Sequence, residues 1–447
     1  MFRFGAPSHR LEAQIQATAR VLEMPHCAAM YIPSCLLINF GDPATATSDI
    51  RFLKQATGLD IGRLKSTYWI YNKVIRDKMG VTEGSKKLDE LMLVTPVKRV
   101  LLKNVIVGGF AGAFIMPSAF YGSFIDCLVA VPLGGLLVIV QYMLAKNDLY
   151  SSLFEIVIAC INALIAGALS YTNHFCFYSV AAGSIVLILP GFIFLCGALE
   201  LANRCLVSGA VRLTYGTLYS LFLGFGLSIG AEIYTRAGRE SAPGGDDYTC
   251  AYLRDGAPWY RARIPPWFYF LTVPCYLICM AVKNGQPLLR RDSLAMVAIG
   301  SAGFAANYFS AKAFVNSSAL VSFIGSFVVG VLGNLWARMT RESAFVVMIV
   351  GIFIQLPSGE LPQHCISLLR PELTDTHAHA HAGLANGGLL RFASDSTSNN
   401  SFSTAIDAAA GLIQVAVGLT VGLYLAAASM NLVSRRGRGR GAHLSTF

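Results

Sequence analysis

Charge is scarce in this sequence. Only 13% of its 447 residues are Asp, Glu, Lys or Arg, against about 25% in soluble domains. With 54% hydrophobic residues and a mean hydropathy of +0.55, a chain this apolar would aggregate in water unless lipid covered it. Other absences narrow the function. No G-x-x-x-x-G-K-[S/T] loop is present, which removes ATP drive by a P-loop. No nucleophile elbow is present, meaning a G-x-S-x-G on a strand-to-helix turn. The eleven cysteines show no paired spacing for zinc. Several sit inside apolar runs (Cys127, Cys160, Cys196, Cys275, Cys279), where they act as small hydrophobes. Cys275 and Cys279 share one helix face and read as packing. No signal peptide is expected before the first polar segment.

What charge there is lies unevenly. Residues 1–97 are ordinarily polar and read as a small α/β domain on the cytosolic side. Leu11, Ile15, Val21 and Leu22 predict a helix over 8–22, opened by Ser8 as its N-cap. Short strands fit 29–32 and 36–40, and Gly41, Asp42 and Pro43 fit a turn. Helices fit 61–79 and 82–94, the second capped by Thr82.

The remainder is a series of long apolar runs at about 104–120, 124–144, 153–171, 175–201, 211–234, 266–283, 294–310, 317–336, 343–369 and 404–430. A helix needs about 20 residues to cross the hydrocarbon layer, so the runs predict a mainly α, polytopic membrane protein of ten transmembrane helices. They divide as a five-helix half over 98–235, a polar loop over 236–265, and a second five-helix half over 266–432, followed by a basic tail over 433–447. Lys98, Arg99, Lys103, Lys146, Arg204, Arg212, Lys283, Arg290, Arg291, Arg338 and Arg341 fall on one side, and with them Arg435, Arg436, Arg438 and Arg440. The positive-inside rule makes that side cytosolic, with both termini on it. The net charge of +10 therefore reads as contact with anionic headgroups, not nucleic acid. The loop 370–403 is Ser-, Asn- and Gly-rich and reads as disordered. Its alternating His377, His379 and His381 have a pattern that can ligate metal, but a flexible loop makes a poor site, and no metal or cofactor is expected.

The halves resemble each other. Leu189, Pro190 and Gly191 interrupt the fourth run, and Leu356, Pro357, Ser358 and Gly359 the ninth. Each break is followed one run later by a Gly-rich helix, Gly224, Gly226 and Gly230 against Gly418 and Gly422. Five spans per half make the second half enter from the opposite side, an inverted repeat. Proline inside a helix removes a hydrogen bond, and in hydrocarbon the freed groups must find partners. Paired midplane breaks thus read either as a transport site or as ordinary proline kinks.

Embedded polar residues are few, and they supply the remaining candidates: Glu200, Asn307, Asn334, Gln355 and Glu360. For Asn307 and Asn334, helix–helix hydrogen bonding or an interfacial position serves equally. Glu200, close in sequence to Arg204, and Glu360 are the candidates for proton binding and release. Asp126, Glu155, Glu232 and Asp407 stand near span ends and fit the interface.

The ordered motifs resemble a known family. They are Gly5 to Glu12, Asn39 to Asp42, Thr57 to Leu64, Leu189 to Phe192, Gly197 to Glu200, Val207 to Gly209 and Tyr219 to Gly226. Weaker ones follow at Leu332 to Asn334 with Arg338, Gln355 to Gly359 and Gly418 to Leu423. Together they resemble the threonine/serine exporter family, specifically its fungal branch of pheromone-regulated membrane proteins. The resemblance implies a ten-helix secondary transporter that exports threonine and serine, driven by a proton gradient or the membrane potential. It implies as partners a small amino acid, protons, the lipid bilayer and, for a homo-oligomer, a second copy. Two departures stand out: Glu360 to Cys365 replace the small residues expected after Gly359, and the match begins at Gly5 without the extension expected of fungal members. Three other readings compete. A hydrolase built on Ser8, His9, Asp42 and Asp49 lacks anything that holds these residues together. A non-transporting structural or membrane-remodelling protein leaves the paired breaks without a purpose. A channel would use them equally well, and saturable, gradient-coupled flux separates it from a carrier.

Overall fold

The computed structural model describes residues 1–435 apart from positions 7, 25, 33–34, 43–44, 55–57, 94–96, 146–152, 237–249, 255, 288–289, 315–316, 341–342 and 357–400. Helix α1 (Ser8–Val21) lies on an antiparallel sheet of order β1-β2-β3, formed by Cys27–Ile32, Cys35–Asp42 and Thr47–Lys54. Strand alternation puts Tyr31 opposite Leu36, and both join Leu11 in a small core. Gly41 and Asp42 belong to β2, pairing with Ser48 and Thr47, so the expected turn there is a strand end. The third strand was not expected. It is an edge strand, exposed along its length, and its mixed residues carry no period-2 signal. Helices α2 (Ile61–Ile75) and α3 (Val81–Met92) follow. Asp60 caps α2, accepting from the Arg63 N–H at 2.9 Å. The N-cap of α3 is Gly80, without a side-chain cap, so Thr82 sits inside the helix instead of at its start.

The apolar runs form α4 (Val97–Ala119), α5 (Phe124–Leu144), α6 (Phe154–Ser170), α7 (Phe177–Ile185), α8 (Gly191–Ala202), α9 (Leu206–Arg236), α10 (Tyr269–Lys283), α11 (Arg291–Ala313), α12 (Ser318–Thr340), α13 (Ala344–Phe353) and α14 (Ser401–Arg435). Among the described residues, six helices are long and apolar enough to cross a membrane, and α7 and α8 are together apolar enough for a seventh, as one broken span or a re-entrant loop bent by 50°. Their outward faces are apolar: Phe270 is 91% exposed, and Val417, Val421 and Leu425 make a stripe at helical spacing on α14. Such surfaces need lipid, and the chain is a membrane protein. Trp259 and Trp267, both exposed near the start of α10, suit the membrane–water boundary. The residues after Leu356, including Pro357, Ser358, Gly359, Glu360 and the histidine tract, and the tail after Arg435, lie outside the described residues.

Helix α4 leads away from the α/β unit, whereas α10 packs against it and ends at that unit, since the N–H groups of Ile61 and Gly62 donate to Asn284 O at 2.9 and 3.4 Å. On the opposite face, Cys176 before α7 is disulfide-bonded to Cys250, a pairing the sequence did not announce. The disulfide anchors a strap in which Arg254 donates to Tyr121 O, to Ser179 Oγ at 3.0 Å and to Asp126 Oδ2 at 3.3 Å. Asp126 does stand at a helix end, as expected, but it is 1% exposed. It is covered by the strap and does not face the lipid boundary.

The two sets of helices share a pattern of neighbours. In the first, α4 packs on α5, α5 and α6 both pack on α7, and α6 packs on α9; in the second, α10 packs on α11, α11 and α12 both pack on α13, and α12 packs on α14. Close helix approach requires glycine at matching places. A β-carbon at Gly226 or Gly230 of α9 would lie 2.6 Å from Ile156 O or 2.4 Å from Cys160 O; at Gly418 or Gly422 of α14 it would lie 2.4 Å from Ala319 O or 2.5 Å from Phe323 O. The spacing of four is the same on all four helices. Gly422→Ala is expected to cost about 1–3 kcal/mol by overpacking, read as a lower melting temperature in detergent. Gly58→Ala, where nothing lies within 4 Å, is expected to change stability by less than about 0.5 kcal/mol.

Candidate functional site

The expected break at Leu189–Gly191 and the described end of α13 bear on one place. A residue before proline is pushed out of the helical region, and Leu189 accordingly has φ −60° and ψ 133°, with Pro190 as N-cap of α8. On the other side α13 stops at Phe353, and Gln355 and Leu356 lead out of it towards Pro357. The first break touches the end of α13: a β-carbon at Gly191 would lie 3.1 Å from Leu356 Cβ, and the rings of Phe192 and Phe353 are 5.2 Å apart. Between them is a cavity of about 220 Å³, walled by Leu187, Leu189, Pro190, Gly191, Phe353 and Leu356 and completed by Lys283, Asn284 and Leu59. Leu59 comes from the α/β unit, which therefore closes one side of the cavity.

The polarity of the broken helices gives the cavity a field. The first turn of a helix leaves N–H groups without acceptors, and α8 has no side-chain cap. Its positive end meets the cavity at Gly191. The C-terminal, negative end of α13 meets it at Phe353. Opposed half-helix ends of this kind complement a zwitterion.

The other candidates separate into three places. Asn307 and Gln355 come together between α11, α12 and α13: a β-carbon at Gly325 would lie 2.7 Å from Gln355 Oε1 and 3.0 Å from Asn307 Cβ. Asn307 Nδ2 is buried with no hydrogen-bond partner among the described residues. Asn334 is turned to its own helix, donating to Gly330 O at 2.9 Å. Glu200 is buried, but not beside Arg204, whose φ of 66° places it in the turn after α8. It pairs with Arg212 at 3.0 Å and accepts from Ser208 Oγ at 2.5 Å. Arg212 in turn donates to Tyr31 Oη of the α/β unit. Burial pushes the Tyr31 phenol up, with Arg212 opposing, so at neutral pH it stays protonated and accepts from the guanidinium. Glu200 is thus the inner end of a clamp that docks the α/β unit. A second clamp, the Lys65–Asp292 ion pair, joins α2 to α11. Pro357, Ser358, Gly359 and Glu360 lie outside the described residues. Among the described residues no group of His, Cys, Asp or Glu is placed to hold a metal ion.

Sequence reasoning missed Lys283, Asn284, Leu59, Arg212 and Tyr31. Lys283 and Arg212 had been assigned to cytosolic charge, and only Thr57 to Leu64 carried a family signal.

Residues 1–234 match a family model described as "Putative threonine/serine exporter", and residues 269–428 match one described as "Threonine/Serine exporter, ThrE". An uncharacterized protein of Schizosaccharomyces pombe is 36% identical over 431 residues, covering 95% of this chain and 53% of that protein. Pheromone-regulated membrane protein 10 of Saccharomyces cerevisiae is 33% identical over 427 residues, covering 95% and 52%. The protein of that name in Candida glabrata is 34% identical over 430 residues, covering 94% and 50%. The chain thus spans about half the length of the curated relatives it matches. No solved structure matches it.

Removing one partner of a buried ion pair strands the other charge, at about 3–5 kcal/mol. Arg212→Met is expected to lose stability of that order and to make the α/β unit more sensitive to protease. The double variant Glu200→Leu/Arg212→Met, which strands no charge, is expected to recover a large part of the melting temperature.

Proposed function

Because the chain belongs to the threonine/serine exporter family, we propose that it is a secondary carrier that exports small amino acids such as threonine and serine, drawing on a proton gradient or the membrane potential. The observation that carries this reading is the meeting of the helix break at Pro190 with the end of α13, one from each set of helices, around a cavity. Broken helices are costly in lipid, and transporters place such breaks at their binding sites. The opposed half-helix ends offer charge of both signs to a zwitterion. A cavity of about 220 Å³ is small for a drug-sized ligand and suits a small solute.

The same reading takes the architecture as ten spans in two inverted halves. The repeated neighbour pattern, the matching glycine contacts of α9 with α14, and the opposed directions of α4 and α10 support it. The α/β unit is then cytosolic. Disulfides belong to oxidising compartments, so Cys176–Cys250 on the opposite face favours the same orientation, with the strap outside the cell or in a lumen. A carrier cycle in this geometry alternates the cavity between the side covered by Leu59 and the side covered by the strap. No bond is made or broken in the solute, so the chain acts without catalysis.

The test is counterflow. Purified protein in liposomes loaded with unlabelled threonine or serine is expected to accumulate labelled substrate transiently above equilibrium. A non-saturating leak would instead identify a channel, and no flux across a panel of amino acids would remove the carrier reading. Gly191→Leu, whose side chain would push against Leu356 in the cavity wall, is expected to lower flux at least tenfold. Glu200→Gln and Glu360→Gln test proton coupling: at least one is expected to abolish the dependence on a pH gradient, and unchanged transport in both would rule out these carboxylates as the proton sites.

A further inference from the structure

The described walls of the cavity are apolar or uncharged except for Lys283. This lysine ends α10 and is half-buried. Its ammonium has neither an ion pair nor a hydrogen bond among the described residues. A lysine at a helix end usually reaches for water or headgroups. Here the α/β unit stands over the same loop, with Leu59 in the cavity wall and Ile61 bonded to Asn284 O.

The two carboxylates nearest this loop are already committed. Asp60, against which a β-carbon at Gly285 would lie 2.7 Å away, caps α2 and pairs with Arg63 at 3.5 Å. Asp292 pairs with Lys65. A second cation reinforces the sign, because Lys103 Nζ donates to Val282 O, one residue before Lys283, at 3.0 Å. The positive end of α8 also meets the cavity at Gly191 and Phe192. Among the described residues this half-buried ammonium beside apolar walls has no anionic partner, and burying a charge without one is costly.

We infer that Lys283 is the carboxylate-recognising residue of the cavity, so that the solute binds with its α-carboxylate against this ammonium and its side chain towards Leu187, Leu189 and Phe353. The inference rests on the carrier reading for the identity of the cavity as the binding site, and it deepens that reading. It makes the carboxylate obligatory, while the small apolar walls limit the side chain. It also makes the α/β unit part of the site through Leu59.

The test compares threonine with threoninol, which keeps the amino and hydroxyl groups and lacks the carboxylate. Binding to the purified wild-type protein in nanodiscs is measured by calorimetry, beside counterflow in liposomes. Threoninol is expected to bind at least tenfold more weakly than threonine. Lys283→Gln is expected to lose at least tenfold in threonine affinity, and Lys283→Arg to keep most of it, both with a wild-type melting temperature. Equal binding of threonine and threoninol by the wild-type protein would overturn the inference, and this comparison needs no variant to fold. Threonine counterflow that is indifferent to Lys283→Gln would overturn it too and leave the carrier reading standing. Lys283-dependent binding of carboxylates without any counterflow would support the inference and remove the carrier reading. Failure of any carboxylate in an amino-acid panel to bind would overturn the inference.

Discussion

A helix interrupted inside a membrane leaves backbone groups that lipid cannot satisfy, and the rest of this structure follows from how that cost is met. Pro190 interrupts one helix, α13 ends at Phe353, and the interruption and that end are brought against each other. The side chain of Leu356 lies over Gly191, where glycine leaves room for it. The break and the end of α13 wall each other, and α10 adds Tyr276 and Met280. The cavity is what close packing leaves when two half-helix ends of opposite polarity face each other. Its field is therefore set by these backbone ends together with the Lys283 ammonium in the cavity wall.

The α/β unit is tied to this centre at two points instead of hanging from the first span. Tyr31, Arg212, Glu200 and Ser208 form a chain from the sheet to the turn between α8 and α9, one helix beyond the first break. Asn284 O, Gly285 and the Lys65–Asp292 pair fix α2 to the turn between α10 and α11. The unit therefore contacts both helix sets on the face where it closes the cavity. On the other face, the disulfide and Arg254 hold a strap against Asp126 and the loop before α7. Each face has a cover bonded to the helix set around a break, so movement of either cover must disturb buried ion pairs.

The helices were legible because span length is dictated by bilayer thickness and apolar runs advertise it. The run at 124–144 and the helix Phe124–Leu144 share the same bounds. The break at Pro190 was legible because proline acts locally. The edge strand Thr47–Lys54 was not, since an edge strand packs on one side only and its residues need not alternate. The Cys176–Cys250 bond joins residues 74 apart in sequence, a distance at which no spacing rule applies. Arg204 is nearer in sequence to Glu200, but the ion pair forms with Arg212 from the next helix. Asn307 and Gln355 meet only because Gly303 and Gly325 let three helices approach. The cavity's cation was hidden by its own plausibility, because a lysine at the end of a span is what the positive-inside rule predicts.

The contact between the breaks is the claim on which the site depends, and a cross-link tests it. With Cys176 and Cys250 retained and the other cysteines replaced, Gly191→Cys and Leu356→Cys are introduced together and the membranes are oxidised. Gly191 and Leu356 stand close enough for a disulfide to join them. The account predicts a peptide bridged between positions 191 and 356 in folded protein, identified by mass spectrometry, with counterflow lost on oxidation and regained on reduction. Two thiols that alkylate freely and never bridge, in a protein of wild-type melting temperature, would contradict it.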